Sequence, residues 1–267
     1  MRYQRLLNHR FHLFIVMLLY GFLLTSHNVV AVSQTVTPDA GIEVIDSGVT
    51  PPIDPENPPI DVDPNRPSKQ PKGSLRLDFV SNLDFGRVRI GKHKEVNAKA
   101  QFFKQGTEPR GSYIQLTDVR SESTGWTLMM EQKNQFKTAD GQELSGAVLS
   151  FDHAWANASH KTDEIMPQVT RETLSLVPGE SVIVAQAEKN KGWGVWTVEF
   201  GASQHNKDGQ KSTLYPLIDS NNQPLINPEW NQPDFGNRAI SLSIPDKTTI
   251  LPKEYNTEII WTIAKLP

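Results

Sequence analysis

The sequence predicts an all-β fold over residues 73–267: an antiparallel β-sandwich or distorted barrel with long loops, preceded by a disordered, proline-rich segment. Short runs of alternating apolar and polar residues are separated by Gly, Asn, Asp and Pro, which is typical of strands joined by turns. Almost no stretch has a sustained helical period, and the spacing of prolines would break long helices. A single domain is expected, because two domains would each have an undersized core.

The first predicted strand alternates Leu75, Leu77 and Phe79 with polar residues, which makes it half-buried. The two longest connecting loops cover residues 152–172 and 202–238, and loops of this length are either functional or plain surface excursions. The further candidate strands, in chain order, are FGRVRI, SYIQLTDV, GWTLMME, LSGAVLSF, SVIVAQA, GVWTVEFG, AISLSIP and the terminal TEIIWTIAK.

Residues 1–33 predict a secretory signal peptide. Three arginines among the first ten residues precede an apolar run from Phe11 to Leu24, and small and polar residues follow. The run is fourteen residues long, short of the roughly 20 that cross a bilayer as a helix, which disfavours an uncleaved membrane anchor. We expect cleavage after Ala31 or Ser33 and no transmembrane segment in the mature chain.

Residues 34–72 are predicted to form an acidic, disordered linker. The segment contains nine prolines, seven acidic residues and hardly any aromatic content. Such a composition buries too little apolar area to offset the entropy of ordering. An extended tether with polyproline character is therefore expected.

Composition excludes several classes of function. The chain has no cysteine, so disulfides, Cys-ligated zinc, iron–sulfur clusters and thiol nucleophiles are ruled out. Without the three arginines of the signal peptide, 24 of the 27 basic side chains remain against 30 acidic ones, a net charge of about −6. Such a surface repels phosphate backbones, so we expect no nucleic-acid partner.

Tryptophans mark three of the predicted strands. Trp126, Trp196 and Trp261 are each followed two positions later by an aliphatic residue, and residues two apart share a face of a strand. The pattern fits a buried core face, and it also fits exposed rings that stack on sugars or anchor a protein partner.

Two runs resemble a known family. GWTLMME at 125–131, followed by NQFK and ELSGAVLSF, and YNTEIIWTIAKLP at 255–267 are similar to the proximal and distal motifs of the WxL domain, a cell-surface domain of Gram-positive bacteria. The distal motif has isoleucine where the family usually has leucine. The candidate binding or motif residues are Trp126, Thr127, Leu128, Tyr255, Trp261, Thr262 and Ile263. We predict that the two motif strands, those of Trp126 and Trp261, are neighbours in one sheet or face each other across the core.

The resemblance implies a secreted protein that attaches non-covalently to the cell wall or cell surface of a Gram-positive bacterium, with peptidoglycan or another wall polymer as its partner. It also implies, as an alternative, a protein-interaction module that assembles with a membrane-anchored WxL-binding protein and with other WxL proteins. Neither implies a cofactor.

Catalytic and metal-binding signatures are missing from the sequence. The mature chain has four histidines without an H-E-x-x-H motif, and it has no G-x-S-x-G and no glycine-rich phosphate loop. The stretch from His153 to His160, with Asp152, Asp163 and Glu164 nearby, is interpreted as a solvated loop, with a metal or catalytic cluster as the alternative. Two carboxylates could still converge in space, as in a wall hydrolase. We predict no enzyme activity and no metal.

Overall fold

The computed structural model describes residues 48–65, 72–88, 95–104 and 106–266, and within them the chain is all-β with no helix. The sheets are antiparallel and none closes into a barrel, so the all-β prediction is confirmed and the barrel alternative is not. The strands are β1 (Leu75–Val80), β2 (Glu95–Lys99), β3 (Ser112–Asp118), β4 (Trp126–Gln132), β5 (Val148–Phe151), β6 (Ala154–Asn157), β7 (Gln168–Val169), β8 (Leu174–Ser175), β9 (Ser181–Ala187), β10 (Gly194–Phe200), β11 (Leu214–Pro216), β12 (Ile226–Asn227), β13 (Gln232–Pro233), β14 (Phe235–Ser243) and β15 (Ile259–Lys265).

Three larger sheets and one small hairpin are formed by these strands. The first sheet has the order β1-β3-β10-β6, and the motif sheet, which contains both motif runs, has the order β15-β4-β9-β7. The third sheet has the order β11-β14-β5-β8, with β2 also paired to β14. Strands β12 and β13 pair with each other as part of an excursion between β11 and β14, residues 217–234, here called the excursion hairpin.

One hydrophobic core is shared by the three larger sheets. Three aromatic rings, one from each sheet, meet inside it. The ring of Phe151 in the third sheet lies 4.9 Å from that of Phe200 in the first sheet, measured between centroids. Trp261 of the motif sheet contacts both, at 6.5 Å and 6.3 Å. Edge and tilted aromatic contacts of this kind contribute to stability beyond the area they bury.

Several strand predictions are corrected by the structure. The described part of FGRVRI forms no strand, whereas β2 follows a few residues later. The predicted loops over 152–172 and 202–238 contain the short strands β6, β7 and β11 to β13. These strands have two to four residues, so their alternation is too brief to identify a strand from the sequence. Their pairing comes from longer neighbours, for example β6 on β10.

Residues 48–65, here called the N-terminal strap, fold against the first sheet. The backbone N–H of Ile53 donates to Gln115 Oε1 at 2.8 Å, and Gln115 Nε2 donates to the carbonyl oxygen of Pro51 at 2.9 Å. Asn157 of β6 donates from Nδ2 to another strap carbonyl at 2.8 Å. The strap therefore covers the polar outer face of the sheet, and side chains on that face are buried.

The strap changes the predicted organisation of the domain. Ile53, Asp54 and Val62 are buried, and the strap turns back on itself through a hydrogen bond from the backbone N–H of Val62 to the carbonyl oxygen of Pro52 at 2.8 Å. The prediction of a disordered linker over 34–72 is therefore wrong for residues 48–65. Proline prevents regular pairing of the strap, but polar side chains of the sheet satisfy its backbone groups instead.

The predicted signal peptide, residues 1–33, and the part of the linker up to residue 47 lie outside the described residues. In the described ranges there is no helix of the length and apolar character that crossing a membrane requires.

Candidate functional site

The two motif strands are direct neighbours in the motif sheet. Strand β15 pairs with β4 along its whole length, with Ile263 opposite Leu128, Trp261 opposite Met130 and Lys265 opposite Trp126. The predicted neighbourhood of the two runs is thus confirmed. The two tryptophans are four register positions apart, on the same face of the sheet, so each contacts a different part of the core.

Trp126 of the proximal motif is a core residue. Its side chain and that of Leu128 have no exposed surface. The indole Nε1 donates a hydrogen bond to the carbonyl oxygen of Gly192 at 2.9 Å, which satisfies the only polar group of a buried tryptophan. Of the two alternatives left open by the sequence, the buried core is correct for these two residues.

The distal motif is less deeply buried. Tyr255, Trp261 and Ile263 are partly exposed and pack against the core from its edge. The hydroxyl oxygen of Tyr255 accepts a hydrogen bond from the backbone N–H of Leu251 at 2.9 Å, and this bond fixes the loop that precedes β15. The terminal strand is therefore a structural edge of the core, with part of the Trp261 ring at the surface.

The two motif threonines lie on the opposite face of the motif sheet from the tryptophans, because side chains alternate along a strand. Thr127 is buried and Thr262 is exposed. Neither makes a side-chain contact that distinguishes it as a binding residue, so their role stays a prediction.

Two other strand tryptophans are also buried, and the indole N–H of each also donates a hydrogen bond to a loop carbonyl. Trp196 in β10 is fully buried and donates from Nε1 to the carbonyl oxygen of Trp193 at 3.0 Å. Trp155 in β6 is buried and donates to the carbonyl oxygen of Gly201 at 2.7 Å. Each buried indole thus fixes a loop carbonyl at the end of a strand.

Trp193 is different, because its side chain is 56% exposed. It lies in the KGWG loop between β9 and β10, one residue before β10 begins. Trp193 was not among the predicted site residues, since it stands outside the apolar alternation of any strand. The glycines on either side of it were the available signal, because glycines flanking a lone large ring indicate a tight loop rather than a core position.

A buried charged cluster joins the N-terminal strap to the first sheet. The guanidinium of Arg110 binds the carboxylate of Asp54 with two hydrogen bonds, 2.8 Å and 3.0 Å long. Glu56 lies 3.9 Å from Arg110 Nη1 and accepts hydrogen bonds from the backbone and hydroxyl of Ser203. Burial lowers the pKa of Arg110, but the hydrogen bond and charge of Asp54 more than offset that effect and leave it raised. This cluster was not predicted from the sequence.

Glu199 of β10 lies beside this cluster and is buried. Its Oε1 accepts a hydrogen bond from the backbone N–H of Gly111 at 2.7 Å, whereas Oε2 has no hydrogen-bond partner among the described residues. Burial, and then the charge of Glu56, raise the pKa of Glu199 well above its ordinary value. Burial likewise raises the pKa of Tyr113, which faces the same region. The arrangement holds the strap in place and offers no exposed catalytic carboxylate.

Three histidines, His153, His160 and His205, lie within the described ranges. In the described ranges, no three His, Asp or Glu side chains are grouped so that they could hold a metal ion. His205 Nδ1 lies 2.8 Å from Glu108 Oε2 in an exposed pair, and His153 adopts a left-handed backbone conformation, φ +52°, in the turn between β5 and β6. Between His153 and His160, residues 154–157 form the buried strand β6, so the interpretation of this stretch as a solvated loop is wrong there.

A comparison with protein families decides the identity of the fold. A family model described as "WxL domain surface cell wall-binding" matches residues 31–267. The chain belongs to the WxL domain family. The comparison with curated proteins gave no match, and the comparison with solved structures gave none.

The match places the N-terminal strap inside the WxL domain. It begins well before the boundary at residue 73 that the sequence analysis predicted, and it includes both motif strands and the excursion hairpin. The family is described by binding to the cell wall, so a cell-surface location is supported for this WxL protein. In this chain Trp126 of the proximal motif lies in the core and holds the loop carbonyl of Gly192, and Trp261 of the distal motif packs against the core.

Proposed function

We propose that this protein is secreted and attaches non-covalently to the peptidoglycan of a Gram-positive cell wall through its WxL domain. The observation that carries the proposal is the match to a wall-binding family over residues 31–267, which covers the strap, both motif strands and every described sheet. On this proposal the folded domain as a whole binds the wall, without a covalent bond to it.

The burial of the motif shapes how this binding works. Trp126 and Leu128 have no exposed surface, so they cannot touch a polymer, and their role is to hold the surface that does. Secretion is supported by the N-terminal sequence, where arginines precede the apolar run from Phe11 to Leu24. After removal of that peptide the chain carries a net charge of about −6, which favours a neutral sugar polymer over a polyanionic one.

We infer that the protein acts by binding and not by catalysis. Three carboxylates that lie close together, those of Asp54, Glu56 and Glu199, are engaged in or beside the Arg110 cluster under the strap. Glycoside hydrolysis requires two carboxylates that flank an accessible sugar, and these three groups are covered.

Sedimentation with purified cell walls tests the proposal. The mature protein is mixed with purified Gram-positive walls at moderate salt, and the bound fraction is measured as a function of wall concentration. Saturable binding is expected, and a protein that stays in the supernatant at every concentration would contradict the proposal. A wall-containing gel run in parallel tests the enzyme alternative, because a zone of clearing would show hydrolysis.

A second candidate function, assembly with a membrane-anchored partner and other WxL proteins, is favoured by the excursion hairpin. Three of its aliphatic residues, Ile218, Leu225 and Ile226, are 51%, 43% and 55% exposed. They lie in one short ribbon, in which the backbone N–H of Leu225 donates to the carbonyl oxygen of Leu217 at 2.8 Å. Exposed aliphatic residues grouped in this way are typical of protein contacts.

A pair of variants separates the second function from wall binding. Replacing Ile218, Leu225 and Ile226 together by serine should abolish binding to a membrane-anchored WxL-binding protein and leave sedimentation with walls unchanged. Val177→Ser is the matched control, since Val177 is 52% exposed outside the hairpin. Partner binding that survives the triple change would contradict the assignment to the hairpin.

A further inference from the structure

All six tryptophans of the chain lie within the described residues; the side chain of Trp193 is 56% exposed, whereas the other five are buried or only partly exposed. A tryptophan ring in water is unfavourable, because its large apolar faces are hydrated instead of packed. An exposed ring of this size therefore either binds a ligand or has no role at the surface. The way in which its backbone is held distinguishes these two alternatives.

The backbone beneath the Trp193 ring is fixed by two core tryptophans. The carbonyl oxygen of Trp193 accepts a hydrogen bond from Trp196 Nε1 at 3.0 Å. The preceding carbonyl, that of Gly192, accepts from Trp126 Nε1 at 2.9 Å, and the N–H of Gly192 donates to the carbonyl oxygen of Ile165 at 2.8 Å. The proximal family motif thus holds the peptide that carries the exposed ring.

The rest of the loop, residues 188–193, is held from a second side. The backbone N–H of Asn190 donates to the carbonyl oxygen of Ser123 at 2.9 Å, and the Ser123 hydroxyl donates to the carbonyl oxygen of Lys191 at 3.2 Å. Lys191 Nζ also lies 2.9 Å from Glu188 Oε2. A loop with this many fixed points loses little conformational freedom on binding, so a ligand gains more from contact with its ring.

The polarity of the loop indicates the chemistry of the ligand. Glu188, Lys189 and Asn190 are exposed on the same loop as Trp193, so one apolar ring stands among hydrogen-bonding groups. A protein partner is usually bound by a larger apolar patch. A sugar ring combines apolar C–H faces with polar hydroxyl and amide edges, and it matches a single indole with polar neighbours.

We propose that Trp193 is a stacking platform for the amino-sugar rings of peptidoglycan glycan strands, presented by the 188–193 loop and positioned by Trp126. This inference rests on the proposed wall binding. On this proposal the buried motif contributes to binding without contacting the ligand, because Trp126 holds the loop that carries the exposed Trp193 ring. A phosphate-rich wall polymer is the less suitable ligand, since the net charge of the mature chain is negative.

The test uses the mature protein and two wall preparations: intact Gram-positive walls, and the same walls stripped of phosphodiester-linked polymers with hydrofluoric acid. Trp193→Ala should weaken binding to stripped walls by about tenfold, in line with the loss of one aromatic contact. Trp193→Tyr, which keeps a ring, should bind between the alanine variant and wild type. Val177→Ala, at an exposed site in another loop, should bind as wild type does.

Each outcome decides one of the two proposals. Equal binding of wild type and Trp193→Ala to stripped walls would overturn the platform and leave wall binding intact. Wild-type binding to intact but not to stripped walls would overturn the choice of peptidoglycan. A wild type that binds neither preparation would overturn the proposed function itself. Melting curves accompany every variant, and if the alanine variant melts early, the binding of the tyrosine variant decides.

Discussion

Trp126 and Gly192 are 66 positions apart in the chain, and the indole Nε1 of the first donates a hydrogen bond to the carbonyl oxygen of the second at 2.9 Å. The contact links the proximal motif in β4 to the loop between β9 and β10. Gly192 has φ +68°, and a Cβ at this position would lie 2.5 Å from Trp126 Nε1 and 2.5 Å from Ala187 Cβ. The family motif and this glycine therefore depend on each other.

Gly192→Ala is expected to destabilise the protein. The added methyl group would meet two buried atoms, and alanine is strained at a positive φ, so we expect a loss of about 2–4 kcal/mol in the free energy of unfolding. Chemical denaturation measures it. Gly179→Ala is the control, because Gly179 also has a positive φ, +85°, but has open space around the new methyl group. Similar losses for both variants would show that backbone strain alone acts at Gly192.

The two motif tryptophans should differ in their contributions to stability. Trp126→Ala removes a fully buried ring and its hydrogen bond, which should cost about 3–5 kcal/mol. Trp261→Ala removes a partly exposed ring at the edge of the core, for which about 1–3 kcal/mol is expected. Denaturant unfolding of both variants makes the comparison, and a larger loss for Trp261→Ala would contradict the assignment of Trp126 to the core.

Asp54→Ala should release the N-terminal strap. It removes both hydrogen bonds to Arg110 and leaves that guanidinium buried without its closest partner, so a loss of about 3 kcal/mol or more is expected. Limited proteolysis should then cut within residues 48–65 at a protease concentration that spares wild type. Asp63→Ala is the control on the same strap, because the ion pair of Asp63 with Lys104 is exposed and contributes about 0–1 kcal/mol. Equal cleavage of both variants would rule out the Arg110 contact as the strap's main anchor.

The strands that the sequence could predict are those with their own apolar alternation. In β4 and β15, large apolar residues recur every second position and share one face of the strand, which is a local property of the chain. Their mutual pairing was predictable only because both runs resemble motifs of one family. Short strands such as β6 and β7 could not be found this way, since longer neighbours impose their pairing.

The N-terminal strap and the exposed ring of Trp193 could not be predicted from the sequence, for physical reasons. Asp54 and Arg110 are 56 positions apart, and nothing local marks a proline-rich segment as the cover of a polar sheet face. The strap is held mainly by hydrogen bonds to distant side chains such as Gln115. Its low apolar content therefore gave the wrong prediction of a disordered segment, because these hydrogen bonds offset the entropy cost of ordering it. Trp193 has no periodic context, so only the folded loop shows that its ring points out of the core.

Glu199→Gln should stabilise the protein at neutral pH. Burial raises the pKa of Glu199 in the folded state, so between its ordinary unfolded value and that raised value the folded protein holds a proton that the unfolded chain has lost. Stability then falls as the pH rises through this window, and above it the full cost of burying the charge is present. Glutamine keeps an oxygen for the N–H of Gly111 and carries no charge.

At a pH above the raised pKa, the free energy of unfolding of the variant should therefore exceed that of wild type by about 1–2 kcal/mol. The two values should approach each other near pH 4.5, the ordinary pKa of a glutamate that is expected in the unfolded chain. Melting temperatures measured from pH 4 to pH 8 give the two curves, and their difference isolates Glu199, because Asp78, whose pKa burial also raises, titrates in both proteins. Glu164→Gln, at an exposed position, should run parallel to wild type. A difference between the Glu199→Gln and wild-type curves that stays constant or narrows toward high pH would contradict a proton held by Glu199 beneath the strap.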